Sequence, residues 1–197
     1  EQLYFVRETI TDPKRFHVDE RGILTNDVQG PVRVWKEPLA GHQYVIGCDS
    51  SMGLEGKTFS KSTMEVLDMA TLEQVAEYEA STPPHILPKH LVGLGRHYYN
   101  ALLAPEVTSS GGGGGRELLV YVEQLQYYQV HRKSIQAGKI GPRKANEYGW
   151  ETNSRPRPRM IARIQECVHE QSVTIHSAHL LSQLQNFGQN DEGRFEA

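Results

Sequence analysis

Two short apolar runs in the chain each end in an acidic side chain. Residues 44–48 (YVIGC) are followed by Asp49, and residues 101–105 (ALLAP) are followed by Glu106. Runs of this length, bounded by turn-forming residues, are typical of buried strands. The pattern therefore predicts two core strands that each place one carboxylate at the carboxyl-terminal tip.

The remaining pattern alternates between strand-like and helix-like segments. Strands are predicted at 43–49, 59–67, 73–79 and 101–106, with shorter ones at 127–133 and 173–175, and helices are predicted at 84–99, 116–126, from 153 or 154 to about 170, and from 177 to 187. Hairpin strands followed by α/β units predict an α/β fold, a mixed sheet with helices on both faces.

Turn-forming residues dominate the beginning of the chain. We interpret residues 1–38 as an N-terminal arm or linker and residues 39–197 as one domain, because 197 residues suffice for a single domain with a substantial core. No apolar run approaches the roughly 20 residues that span a bilayer. The N-terminal residues lack the basic-then-apolar order of a secretory signal, and the only two cysteines, Cys48 and Cys167, show no metal-binding spacing. We expect a protein that is not secreted, with reduced thiols.

The net charge of −3 neither requires nor excludes nucleic acid, but the basic residues are clustered. Residues 131–145 and 155–163 are basic, and such stretches can hold a phosphate backbone. The candidate DNA-binding residues are Arg132, Lys133, Arg143, Lys144, Arg155 and Arg157. The alternative is that solvated loops collect lysine and arginine without binding DNA.

Two carboxylates on adjacent strand tips are suitable ligands for Mg²⁺ or Mn²⁺. Two such ions, about 4 Å apart, can activate water and stabilise the leaving oxygen in phosphodiester hydrolysis. Asp49 and Glu106 are therefore the candidate catalytic and metal-binding residues. Either one taken alone is more typical of a turn cap.

Three other features suggest competing interpretations. Gly56-Lys57-Thr58 matches half of a phosphate-binding P-loop, but Ser51 occupies the position of its first glycine. The glycines at 111–115 predict either a lid beside Glu106 or an unspecialised loop. The nine histidines show no shared helix face, so no histidine site is predicted.

Five blocks, in order, resemble the C-terminal nuclease domain of the tailed-phage terminase large subunit. They are VWKEPLAGHQYVIGCDSSMG, EVLDMATLEQVAEYEA, YYNALLAPEVTSSG, GWETNSRPRPRMIARIQE and LLSQLQNFGQNDEGRFEA. The resemblance implies a ribonuclease H-like fold and metal-dependent cutting of concatemeric double-stranded DNA during packaging. It places Asp49 and Glu106 at the first and second metal-binding acids. It also implies Mg²⁺ or Mn²⁺ as a pair of ions, the portal protein and terminase small subunit as partners, and the host cytoplasm as location.

Some positions depart from the family pattern. Thr58 stands where the family commonly has an aspartate, and residues 107–110 replace an asparagine-rich stretch. The family's third acid would follow the position of Ala197, so this chain offers none, and Asp191 is a poor substitute. We therefore expect weak or absent cutting by the chain as it stands. The alternatives are a non-catalytic DNA-binding or assembly module of the packaging motor and, less favoured, a P-loop phosphotransferase.

Overall fold

The computed structural model describes residues 9–51, 61–107, 114–132, 148–151, 156–186, 188–189 and 195–196. Nine strands are present in these ranges: β1 (Lys14–Val18), β2 (Leu24–Asn26), β3 (Val32–Val34), β4 (Tyr44–Asp49), β5 (Ser62–Asp68), β6 (Glu73–Ala80), β7 (Leu102–Pro105), β8 (Gly188–Gln189) and β9 (Phe195–Glu196). The four helices are α1 (Leu87–His97), α2 (Gly115–Gln124), α3 (Pro156–His169) and α4 (Ala178–Asn186).

Seven strands form one mixed sheet in the order β2-β1-β3-β6-β5-β4-β7. All neighbours are antiparallel except β4 and β7, which run parallel. A parallel pair requires a crossover connection, and here β5, β6 and α1 supply it. The crossover places the carboxyl ends of β4 and β7 at the same edge of the sheet. The separate β8–β9 pair is antiparallel.

One face of the sheet carries the main apolar core. Alternate residues of β4 and β5 are buried there, with Ile46, Met64 and Val66 fully inaccessible. Helix α1 covers this face with Leu87, Leu91 and Leu94, and α2 adds Leu118 and Val122 to the same cluster. Burial of such side chains contributes about 1.5–3 kcal/mol each, so this face fixes the strand register on which the other face depends.

The opposite face carries polar side chains in the middle and the C-terminal segment at one end. Thr174 bridges to Glu73 of β6, and α4 begins three residues after Ile175. Ser177 caps this helix, since its Oγ accepts a hydrogen bond from the Leu180 amide at 3.1 Å. Ile175 and Leu181 form a small second apolar cluster. Helices therefore contribute to both faces, as predicted.

The strands predicted for the centre of the sheet and all four predicted helices are present, with end shifts of a few residues. The described part of the predicted strand at 127–133, residues 127–132, and the segment at 173–175 contain isolated bridges rather than strands. The predicted arm, 1–38, supplies β1, β2 and β3, whose Phe16 and Val32 side chains lie in the core. This part of the chain thus extends the sheet, and the boundary between residues 38 and 39 stays a prediction.

None of the helices in the described ranges is long and apolar enough to cross a membrane. The two cysteines are free thiols, Cys48 buried and Cys167 half-buried. The Gly56-Lys57-Thr58 motif lies outside the described residues, so the P-loop interpretation has no structural test here.

Candidate active site

The parallel pairing of β4 and β7 brings Asp49 and Glu106 side by side. Cys48 is paired with Pro105, and the Glu106 amide donates to the Cys48 carbonyl at 2.8 Å. The next residues in register are therefore Asp49 and Glu106, whose side chains point to the same, polar face. The prediction that two strand tips present adjacent carboxylates is confirmed in its geometry.

The two carboxylates have few neighbours among the side chains that the structure describes. Within the described residues, no hydrogen bond or ion pair reaches the Asp49 or Glu106 side chain. Asp49 is exposed and Glu106 is half-buried. Two adjacent anionic groups without counter-charges repel each other, and a divalent cation held by both would relieve that repulsion.

Helix α2 begins directly against Glu106. A Cβ atom on Gly115 would lie 1.9 Å from the Glu106 carbonyl oxygen and 3.2 Å from Cγ1 of Val107. Real Cβ atoms do not approach a backbone this closely, so only glycine permits this contact. One glycine of the 111–115 run thus has a defined packing role, while 111–113 lie outside the described residues.

A discontinuous edge continues the sheet beyond β7. Val130 bridges to Leu103 and Trp150 bridges to Glu106, both in parallel, while Arg132 and Tyr148 pair antiparallel. The Arg132 guanidinium carbon lies 5.4 Å from the centroid of the Tyr148 ring. Arg132 and Tyr148, the described residues on either side of the basic segment, are therefore paired at the sheet edge next to Glu106.

The predicted DNA-binding residues are only partly within the described ranges. Arg132 is exposed at the discontinuous edge, and Arg157 is exposed in the first turn of α3. Lys133, Arg143, Lys144 and Arg155 lie outside the described residues. Contact between Trp150 Nε1 and Met160 Sδ, at 3.1 Å, brings α3 close to the same edge.

A second polar cluster, which no sequence pattern predicted, is formed by Glu77, Glu79 and His179. One ligand atom from each lies within 4.8 Å of the other two, the only such group of three potential metal ligands among the residues described. Glu77 pairs with Arg33, and Glu79 pairs with Arg33 at 3.1 Å and with Lys61 at 2.8 Å. The carboxylates are thus already neutralised by side-chain cations. We call this group the paired cluster.

The paired cluster lies on the same face as the acid pair. Asp49 is in register with Thr63, and Thr63 with Glu79, so two strand spacings, about 10 Å, separate Asp49 from Glu79. Burial alone would raise the pKa of the Glu79 carboxyl. The opposing effect of Lys61, His179 and Arg33 is larger and holds this pKa below its usual value. A sequence pattern could not show this group, because His179 is far from β6 in the chain.

Glu65 lies on the same face, in register between Gly47 and Glu77. Burial raises its pKa to about 7, although a 2.6 Å hydrogen bond from Gln74 Nε2 and the charge of Arg33 oppose the shift. Burial also raises the pKa of the Cys48 thiol and lowers that of His131. Cys48 is thus a neutral core residue, as expected.

No protein-family model and no curated protein matches the chain. Among solved structures, the large terminase nuclease from thermophilic phage G20c is similar over 100% of this chain and 88% of that one, with a TM-score of 0.60 and 14% identity. The same nuclease with bound magnesium gives 0.62 and 14%, over 98% and 85%. The large terminase nuclease domain of Thermus phage P74-26 gives 0.60 and 15%, over 98% and 83%. This chain therefore has the ribonuclease H-like fold of the phage large-terminase nuclease domains.

Proposed function

We propose that the chain is a metal-dependent endonuclease domain of a viral DNA-packaging terminase and cuts double-stranded DNA. The observation that carries the proposal is a pair of carboxylates, Asp49 and Glu106, which lie in register at the carboxyl ends of two parallel strands and which no other described side chain engages. The shared fold supports it, and the similar nuclease from phage G20c has been crystallised with magnesium, cobalt and zinc.

The donor set fits a hard divalent cation. Both side chains offer carboxylate oxygens, and Mg²⁺ and Mn²⁺ favour oxygen ligands. We propose that Asp49 and Glu106 hold a pair of such ions, which when bound would activate a water molecule and stabilise the leaving oxygen of the phosphodiester. The contact between Gly115 and Glu106 would fix the position of this ligand.

The basic residues would hold the DNA backbone beside the acid pair. Arg132 is exposed at the discontinuous edge and Arg157 is exposed in the first turn of α3, and Lys133, Arg143 and Lys144 follow Arg132 in the sequence. Phosphate contacts of this kind position DNA without reading bases. The portal protein and the terminase small subunit as partners, and the host cytoplasm as location, remain part of the proposal.

The proposal is tested by nicking of supercoiled plasmid in Mn²⁺. We expect the unmodified chain to nick weakly, as its two acids predict, and Asp49→Asn and Glu106→Gln each to slow this nicking further, by about a hundredfold or more, because each removes one anionic ligand. Glu20→Gln, at an exposed carboxylate far along the chain, is the matched control and should nick normally. Undiminished nicking by Asp49→Asn would contradict the site.

A second candidate is a non-catalytic DNA-binding or assembly module of the packaging motor. The small number of metal ligands favours this candidate. Within the described ranges only two carboxylates, Asp49 and Glu106, meet at the strand tips, whereas the family resemblance implies three. DNA binding with no nicking in Mn²⁺, Mg²⁺ or Co²⁺ would favour this candidate over the nuclease.

A further inference from the structure

Trp150 is placed next to the acid pair by backbone pairing. The Trp150 amide donates to the Pro105 carbonyl at 2.7 Å, and the Val107 amide donates to the Trp150 carbonyl at 2.7 Å. These bonds flank Glu106 and pair it with Trp150. Paired residues point to one face of a sheet, so Asp49, Glu106 and Trp150 form a row along this edge.

The preceding glycine fixes this direction. Gly149 has a φ of +83°, and a Cβ there would lie 2.8 Å from Val107 Cγ1 and 3.0 Å from the Pro105 carbonyl oxygen. A side chain at this position would therefore be strained and would collide with β7. The backbone at Gly149 therefore packs tightly against Pro105 and Val107. The indole of Trp150 points to the face of the sheet that carries the carboxylates of Asp49 and Glu106.

The indole is not used to build the core. Tyr148, two residues earlier, packs against the main apolar cluster, whereas Trp150 is half-buried and absent from it. Its ring lies beside His131, with centroids 5.3 Å apart and the planes tilted by 46°, and its Nε1 faces Met160. These two contacts fix the position of the indole ring. By contrast, Trp35 stacks on His176 and donates to the Thr11 carbonyl.

An aromatic ring beside phosphate-binding groups can stack on a nucleobase. Such stacking tolerates any base, because every base has a π face. Adjacent strands are about 5 Å apart. The base of a nucleotide whose phosphate lies over Glu106 can therefore extend as far as Trp150, which is paired with Glu106. We propose that Trp150 is a substrate-positioning residue whose indole stacks on an unpaired nucleobase of the DNA strand held at Asp49 and Glu106. This inference rests on the proposed nuclease function.

Tryptophan emission provides the test, because Trp35 and Trp150 are the only two tryptophans in the chain. Trp35→Phe leaves Trp150 as the sole indole. This variant is titrated in Ca²⁺, an oxygen-liganded divalent cation used in place of Mn²⁺, with a single-stranded oligonucleotide while its emission is recorded, and a fluorescein-labelled copy of the oligonucleotide reports binding by anisotropy. We expect emission to fall over the same concentration range in which anisotropy rises.

Substitutions at Trp150 separate stacking from packing. Trp150→Leu, which keeps an apolar side chain, should bind the oligonucleotide about tenfold more weakly, and Trp150→Phe should restore most of the affinity. Binding without any change in emission, or equal affinity for the leucine and phenylalanine variants, would overturn the inference and leave the nuclease proposal intact. Absence of oligonucleotide binding by the unmodified chain would also overturn the inference, whereas failure of the plasmid-nicking test would overturn the nuclease proposal.

Discussion

Two acidic groups lie on one face of the same sheet, and they differ in how their charge is balanced. Asp49 and Glu106 sit at strand tips and receive no cation from the described residues, whereas Glu77 and Glu79 in the paired cluster are bound by Arg33 and Lys61. The paired cluster has the three ligand atoms that a metal site needs, yet its charge is already compensated. Neutralised acids stabilise a fold, and adjacent acids without partners are available for a ligand.

The largest expected effect is a loss of stability on removing Arg33, the cation that contacts both glutamates of the paired cluster. Glu77 is 2% exposed, so Arg33→Met leaves a buried carboxylate without its partner. We expect the free energy of unfolding to fall by about 3–5 kcal/mol. Urea denaturation at pH 7 measures it, and Arg33→Met combined with Glu77→Gln should recover most of the loss. A loss below about 1 kcal/mol, as for a surface pair, would contradict the comparison.

Glu65 gives the next effect, as a pH dependence of stability. Its pKa is about 7 when folded, above its ordinary value of 4.5, so between these values the folded state holds a proton that the unfolded state has lost. The free energy of unfolding therefore falls as pH rises through this window. Glu65→Gln should remove this contribution and be more stable than the unmodified chain at pH 8 by about 2–3 kcal/mol. Denaturation at pH 4 and pH 8 measures the difference, and an equal effect at both would refute the assignment.

Gly115→Ala tests whether packing positions the acid pair. Its Cβ would overlap the Glu106 carbonyl, so we expect a loss of about 1–3 kcal/mol of stability together with slower nicking. Gly47→Ala is the matched control, since a Cβ there meets nothing within 4 Å although Gly47 is two residues from Asp49. Equal behaviour of the two variants in denaturation and nicking would show that the contact is unimportant.

The sequence was sufficient for those parts of the molecule that local pattern determines. The apolar runs that end at Asp49 and Glu106 are recognisable in the sequence as strands. Their parallel pairing is also predictable, because two strands and a helix between them provide a crossover connection. The strands Lys14–Val18 and Leu24–Asn26 are short and surrounded by turn formers, so their periodicity is weak. Their place in the sheet depends on β3, which pairs with the distant strand β6 through Val32 and Tyr78.

Two features of the candidate site were beyond sequence reasoning for the same reason. The paired cluster joins β6 to His179 across about 100 positions, and its alternating glutamates resemble any solvated strand face. Trp150 pairs with Glu106 through one isolated bridge, and a single bridge has no alternating pattern of apolar and polar residues by which a strand could be predicted. Both depend on tertiary contacts that no local pattern records.

The central claim is that the acid pair, and not the paired cluster, binds the catalytic metal. Calorimetric titration of Mn²⁺ into Asp49→Asn and into Glu79→Gln compares the two directly, with unfolding curves confirming that both variants are folded. Relative to the unmodified chain, we expect Mn²⁺ to bind at least about tenfold more weakly to Asp49→Asn and with an affinity changed by less than about twofold to Glu79→Gln. Loss of binding in Glu79→Gln with unchanged binding in Asp49→Asn would contradict this claim.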